Sequence, residues 1–234
     1  MIGILNAYHF DPKPGNYQEN YDKLILDFGR RTFPSRHVRD YKIAFGDWPL
    51  SFDDCEAWLI TGSSMGVYDQ ADWILKLKDF IVGLHQRQKK QIGICFGHQI
   101  IAEALGGKVE KSAKGWGVGV KTFSILQATP WMKPPQNRVS LLFSHQDQVV
   151  AAPPGAKLLA EDSFCPFQML QIGNSVLTLQ GHPEFSVEFA RARLNARREK
   201  MNAETYERAL VSFDAPRDDQ ILANWIREFA QTKG

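Results

Sequence analysis

Between Gln91 and Gln99 the chain reads Gln-Ile-Gly-Ile-Cys-Phe-Gly-His-Gln, and no other stretch restricts the possible folds as much. An apolar run at 91–94 meets a helix-period run at 97–105 with no loop residues before Cys95, and Gly106-Gly107 stops the helix. A strand passing straight into a helix ends at the carboxyl edge of a sheet, the repeating unit of parallel α/β folds. Gly93 and Gly97 leave room for so tight a turn. Gly-x-Cys-x-Gly is the sulfur counterpart of the Gly-x-Ser-x-Gly nucleophile elbow. The turn strains the backbone at Cys95 and exposes its side chain at the sheet edge. The helix N-terminus lowers a thiol pKa there, and its free N–H groups, that of Phe96 first, can hold an oxyanion.

The rest of the chain repeats this alternation. Residues 2–8, 39–45 and 57–60 read as strands, and Tyr21, Leu24, Ile25 and Phe28 share a helix face. Trp73, Ile74, Leu77, Phe80, Ile81 and Leu84 form the clearest apolar stripe. From Val109 to Leu179 the pattern predicts strands at 117–125, 139–143, 156–160, 168–172 and 176–179, punctuated by prolines. Residues 186–234 read as helical, with Arg191, Arg193, Arg197 and Arg198 taken as a solvated face interleaved with Glu188 and Glu199. The expectation is an α/β fold: a mostly parallel open sheet with helices on both faces, in a single domain over 1–234 with 186–234 a helical C-terminal extension.

Composition removes several classes of function. Lys and Arg number 28 against 26 Asp and Glu, a net charge of +2 with no long-range field to draw nucleic acid or an acidic membrane. Three widely spaced cysteines, Cys55, Cys95 and Cys165, build no disulfide framework. No uncharged, continuously apolar stretch of 18 residues and no signal-peptide pattern occurs, so a cytoplasmic location is expected.

A thiol nucleophile needs a base and the base an orienting group. Gln180-Gly181-His182-Pro183-Glu184 follows the strand at 176–179. Two residues apart on extended backbone, His182 and Glu184 project to the same side, and Pro183 keeps His182 extended. His182 is therefore the expected base and Glu184 its orienting group. Ser144-His145-Gln146-Asp147, after the strand at 139–143, offers a second polar wall for charged groups of a substrate.

These three motifs, in this order and spacing, resemble the triad-type (class I) glutamine amidotransferases, in particular the glutaminase domain of GMP synthase and stand-alone relatives such as the plant γ-glutamyl peptidases. The resemblance covers about residues 1–185 and implies a flavodoxin-like sheet. It also implies that Cys95 attacks a γ-glutamyl amide to form a thioester, with His182 moving the proton and Glu184 orienting it. Gly62 and Ser63, within Thr61-Gly62-Ser63-Ser64-Met65-Gly66, match the oxyanion loop and would act with the Phe96 N–H. Gln99, Ser144, His145 and Asp147 match the substrate-binding positions.

The implied substrate is glutamine, releasing ammonia and glutamate, or alternatively a γ-glutamyl peptide. The chain shows no phosphate-binding loop to activate an acceptor, so an ammonia-accepting synthetase subunit is the implied partner of a glutaminase. No metal or other cofactor is implied. Lys114-Gly115-Trp116-Gly117 resembles the peptidase relatives and places Trp116 near the pocket mouth, with the loops at 11–17 and 112–119 as pocket walls. Two other classes compete: a zinc site drawn from Cys95, His98, His145, Asp147, His182 and Glu184, and a non-catalytic thiol sensor or partner-binding module.

Overall fold

The computed structural model describes residues 1–9 and 17–232. Eleven strands are present among them: β1 (Ile2–Leu5), β2 (Val38–Tyr41), β3 (Ala57–Ile60), β4 (Lys90–Ile94), β5 (Lys108–Lys111), β6 (Gly117–Ile125), β7 (Arg138–His145), β8 (Asp147–Ala151), β9 (Ala156–Glu161), β10 (Met169–Ile172) and β11 (Val176–Leu179). Six helices accompany them: α1 (Tyr17–Thr32), α2 (Asp72–Gln86), α3 (Phe96–Ala104), α4 (Val187–Ala196), α5 (Ala203–Ser212) and α6 (Asp219–Gln231).

Nine strands form one sheet in the order β2-β1-β3-β4-β11-β10-β9-β6-β7. From β2 to β11 every neighbouring pair is parallel; beyond β11 the pairings are antiparallel. The inner parallel strands β1, β3, β4 and β11 are buried on both faces, while the edge strand β2 exposes Arg39. Along β3, Ala57 and Leu59 enter one core with α1, α4 and α6, while Trp58 and Ile60 enter the opposite core with α2 and α3. The fold is therefore α/β with helices on both faces, as expected from the alternating pattern.

Register decides what meets at the carboxyl edge. Leu5 lies opposite Ile60, Ile60 opposite Gly93, and Ile94 opposite Leu179. The residues that follow, Asn6 to Tyr8, Thr61 to Ser63, Cys95, and Gln180 to His182, leave the sheet side by side. The β6–β7 ribbon curls back over this edge, because His182 donates its N–H to the Leu142 carbonyl at 2.8 Å and so bridges β7 to the end of β11.

Several boundaries depart from the sequence reading. The strand expected at 39–45 ends at Tyr41 and gives way to a 3-10 turn, Ile43–Phe45, closed by Gly46 at φ 89°. Strand β7 continues to His145, and after Gln146 alone the chain enters β8, which pairs with β5 in a separate two-stranded sheet. The polar Ser144-His145-Gln146-Asp147 stretch is thus a corner between two strands rather than a turn capping one. The arginine-rich segment departs too. Arg191 is exposed, but Arg193 is 4% exposed and Arg197 half-buried, so part of the expected solvated face points inward. The segment of the expected pocket wall at 11–16 lies outside the described residues.

Two glycines make the β4–α3 junction possible. A Cβ on Gly97 would sit 2.2 Å from the Ile60 carbonyl oxygen, and one on Gly93 would sit 2.6 Å from the Gly97 carbonyl oxygen. Both contacts are with backbone, which has nowhere to move. Gly97→Ala is expected to destabilise the protein by about 1–3 kcal/mol, read as a lower urea midpoint at unchanged slope.

Candidate active site

Cys95 occupies the residue between β4 and α3 with φ 53° and ψ −104°. A non-glycine residue at positive φ costs on the order of 1–3 kcal/mol and persists only where its surroundings impose it. Its N–H is held by the Leu179 carbonyl at 2.9 Å and its carbonyl accepts from Gln99 at 3.0 Å, so both neighbouring elements enforce the turn. The side chain is 5% exposed, yet it lines two cavities. One is a cleft of about 360 Å³ also lined by Ser63, Gln99, Trp116, Asp147 and Arg197. The other is a small void of about 10 Å³ walled by Tyr8, Tyr21, His182, Phe185 and Arg193. Cys55 and Cys165 are buried away from these cavities, and burial pushes the Cys165 thiol up to about 12.

His182 and Glu184 form a buried pair, 3% and 2% exposed, with Nδ1 and Oε1 2.7 Å apart. The ring stacks on Phe185 at a centroid distance of 3.8 Å, which fixes its plane. Its Nε2 is buried and has no hydrogen bond of ordinary geometry within the protein. Burial by itself would lower the imidazole pKa, but the negative charge of Glu184, then that of Cys95, outweighs it and raises the value well above the usual histidine range. A Cβ on Gly62 would lie 3.1 Å from His182 Cε1 and 3.8 Å from Cys95 Cβ, so the ends of three strands converge at that point.

In the sequence Tyr21 is only one member of a helix face. In the structure its hydroxyl accepts the Gly62 N–H at 3.2 Å and donates to Glu184 Oε1 at 3.4 Å. Burial, then the charge of Glu184, raises its pKa well above the ordinary phenol value, so it stays a neutral donor. The Gly62 N–H expected to serve an oxyanion is therefore directed at Tyr21.

The expected substrate-binding residues divide by geometry. Asp147 accepts from the Tyr68 hydroxyl at 2.9 Å through Oδ2, while Oδ1 is buried without a partner beside the cleft. Gln99 donates through Nε2 to the Asp147 carbonyl at 2.7 Å and to Gln180 Oε1 at 3.1 Å. His145 donates through Nδ1 to the same Asp147 carbonyl at 3.0 Å, and its Nε2 is buried against Gly117. Burial lowers the pKa of His145 to about 3, so the ring is neutral and holds the corner of the chain. Ser144 accepts from Arg197 Nη1 at its hydroxyl, 2.7 Å, and at its carbonyl, 3.2 Å. Trp116 lines the cleft, with the Arg197 guanidinium 5.0 Å from its ring centroid.

His98, one of the residues drawn into the zinc alternative, is fully buried; its Nδ1 meets the Thr178 hydroxyl at 2.7 Å, and burial lowers its pKa to about 3. Among the described residues no group of three or more His, Cys, Asp or Glu is arranged to hold a metal ion. No helix among them is long and apolar enough to cross a membrane.

Comparison with known proteins gives the family of the chain and the likeness of its fold. Gamma-glutamyl peptidase 4 of Arabidopsis thaliana is 34% identical over 182 residues, spanning 74% of this chain and 69% of the relative. A glutamine amidotransferase-like protein of Schizosaccharomyces pombe is 34% identical over 242 aligned positions, 98% of this chain and 94% of the relative. The crystal structure of a glutamine amidotransferase from Methylobacillus flagellatus superposes with a TM-score of 0.73, covering 98% of this chain and 92% of that one, at 21% identity, a likeness of fold. The family model for glutamine amidotransferase class-I matches residues 59–198, from β3 through the elbow and the His182–Glu184 pair to the end of α4. This chain belongs to the class-I glutamine amidotransferase family.

Proposed function

We propose that the protein hydrolyses γ-glutamyl amide bonds with Cys95 as nucleophile, His182 as general base and acid, and Glu184 as the group that orients His182. The observation that carries this reading is the buried His182–Glu184 pair at 2.7 Å beside a cysteine in a strained elbow, with Cys95 and His182 lining one void.

Cys95 Sγ gives its proton to His182 and attacks the amide carbon. The oxyanion is held by the N–H groups of Ser63 and Phe96, each worth on the order of 10²–10³ in rate. Collapse of the tetrahedral adduct breaks the C–N bond, and His182 returns its proton to the departing amine, leaving a γ-glutamyl thioester. Water, activated by His182, then releases glutamate and restores the thiol. The unpartnered Asp147 Oδ1 suits the substrate's α-ammonium. Gln99 and His145 act as positioning residues that hold the Asp147 corner. The segment from α4 onward belongs to the same functional unit, because it supplies Arg193 and Arg197 to the cavities around Cys95.

Two donors fit. With glutamine the leaving group is ammonia, to be passed to a synthetase subunit or released. With a γ-glutamyl peptide it is an amino acid or peptide, and one feature favours this second reading: the cleft runs past Cys95 to Trp116, Lys111 and Lys200, giving room for a leaving group larger than ammonia.

The test is glutamate release by the purified protein from glutamine and from γ-glutamyl dipeptides. Cys95→Ala is expected to cut the rate by about 10⁴-fold or more; turnover that survives this substitution, or no turnover of any γ-glutamyl compound by the native protein, refutes the reading. Glu184→Gln removes the negative charge that raises the His182 pKa. The imidazole pKa, followed by NMR, is therefore expected to fall toward 6.5, so that the ring loses its proton at a lower pH than in the native protein.

A further inference from the structure

Two arginines of the segment after His182-Pro183-Glu184 reach the walls of the Cys95 cavities, and the reaction proposed above uses neither. Arg193, in the last turn of α4, and Arg197, the residue that caps its C-terminus, are four residues apart. Both line the small void beside His182, and Arg197 also lines the larger cleft.

Arg197 is held by two contacts that leave part of it open. Nη1 donates to the Ser144 hydroxyl and carbonyl, and the guanidinium carbon lies over the Trp116 ring, 5.0 Å from its centroid. Its Nε and Nη2 have no hydrogen-bond partner among the described residues. That edge is the fork which receives both oxygens of a carboxylate. Burial, then the charge of Arg193, lowers the Arg197 pKa to about 10, and the groups that oppose this are Tyr8 and Cys95, not an aspartate or glutamate. The protein therefore holds an oriented guanidinium, with a second cation behind it, on the wall of the cleft that contains the nucleophile.

We infer that Arg197 is the carboxylate anchor of the γ-glutamyl donor, binding it through Nε and Nη2 while Ser144 and Trp116 hold the guanidinium in place. Arg193 supports it by adding positive charge to the same wall. The inference rests on the γ-glutamyl reading for the identity of the donor. A donor offers two carboxylates, the α-carboxylate of the glutamyl group and one carried by an amino-acid leaving group. Both are met by the same chemistry, and Arg197 borders the cavities on both sides of Cys95.

Binding is to be measured by calorimetry on the full chain carrying Cys95→Ala, which removes turnover. Three probes separate the sources: γ-glutamylglycine, γ-glutamylglycinamide, which lacks the leaving-group carboxylate, and 4-aminobutanoylglycine, which lacks the α-carboxylate. Loss of the anchored carboxylate is expected to weaken binding by about tenfold or more with Arg197 present. In Arg197→Met that penalty shrinks to about twofold or less, and in Arg197→Lys, which keeps the charge but not the fork, it is intermediate. The probe that shows the effect identifies the carboxylate. A penalty left unchanged by both Arg197→Met and Arg197→Lys overturns the inference, as does failure of all three probes to bind. Should Arg197→Met not fold, judged by its circular dichroism, the Arg197→Lys comparison decides alone. Cleavage of γ-glutamylglycine by the native protein is scored separately: cleavage without an Arg197-dependent penalty removes the anchor and keeps the hydrolase, and a penalty without cleavage does the reverse.

Discussion

The close approach of backbone to backbone at the β4–α3 elbow is the contact on which the rest of the site depends. Gly97 lies against the Ile60 carbonyl and Gly93 against the Gly97 carbonyl, at separations that exclude any side chain. This contact lets the chain turn from strand to helix in one residue and forces Cys95 to positive φ. The parallel register then aligns the ends of β3, β4 and β11, so that the Gly62 loop, the thiol and the imidazole leave the sheet as neighbours. A looser junction would still pack a helix on a sheet, but it would not hold the Cys95 thiol at a fixed distance from residues nearly ninety positions away.

Charge is arranged around this point in a dry setting. Glu184 and His182 are a buried pair, and Tyr21 ties Glu184 to the Gly62 loop through a single neutral hydroxyl. One phenol therefore links the orienting carboxylate to the backbone beside the thiol. Arg193 and Arg197 line the small void, and Arg197 also lines the larger cleft. Tyr21 thus braces the His182–Glu184 pair, while Arg193 and Arg197 border the cavities that Cys95 lines.

The local parts of this site were legible because each depends on neighbours in sequence. Apolar residues followed at once by Gly-x-Cys-x-Gly specify a strand, a sharp turn and a helix, and His-Pro-Glu specifies two side chains on one side of extended backbone. The corner at Gln146 was harder to read. Polar residues at 144–147 look like a turn, yet β7 and β8 continue on either side because their hydrogen-bond partners, β6 and β5, come from other parts of the chain. The inward arginines were misjudged for a related reason. A helix with acidic and basic residues interleaved resembles a solvated surface until the partner of each face is known, and α4 packs on β7, beside the cavity.

By itself the sequence determined the elements whose causes are local: the alternation that makes an α/β sheet, the glycines that permit the elbow, and the spacing that pairs His182 with Glu184. Only the tertiary structure decided that the Gly62 N–H turns to Tyr21, that His145 braces Asp147 with both ring nitrogens buried, and that Arg193 and Arg197 face Cys95. Those outcomes depend on which distant segments share a space, and hydrogen-bonding direction and burial are set by that company rather than by residue type.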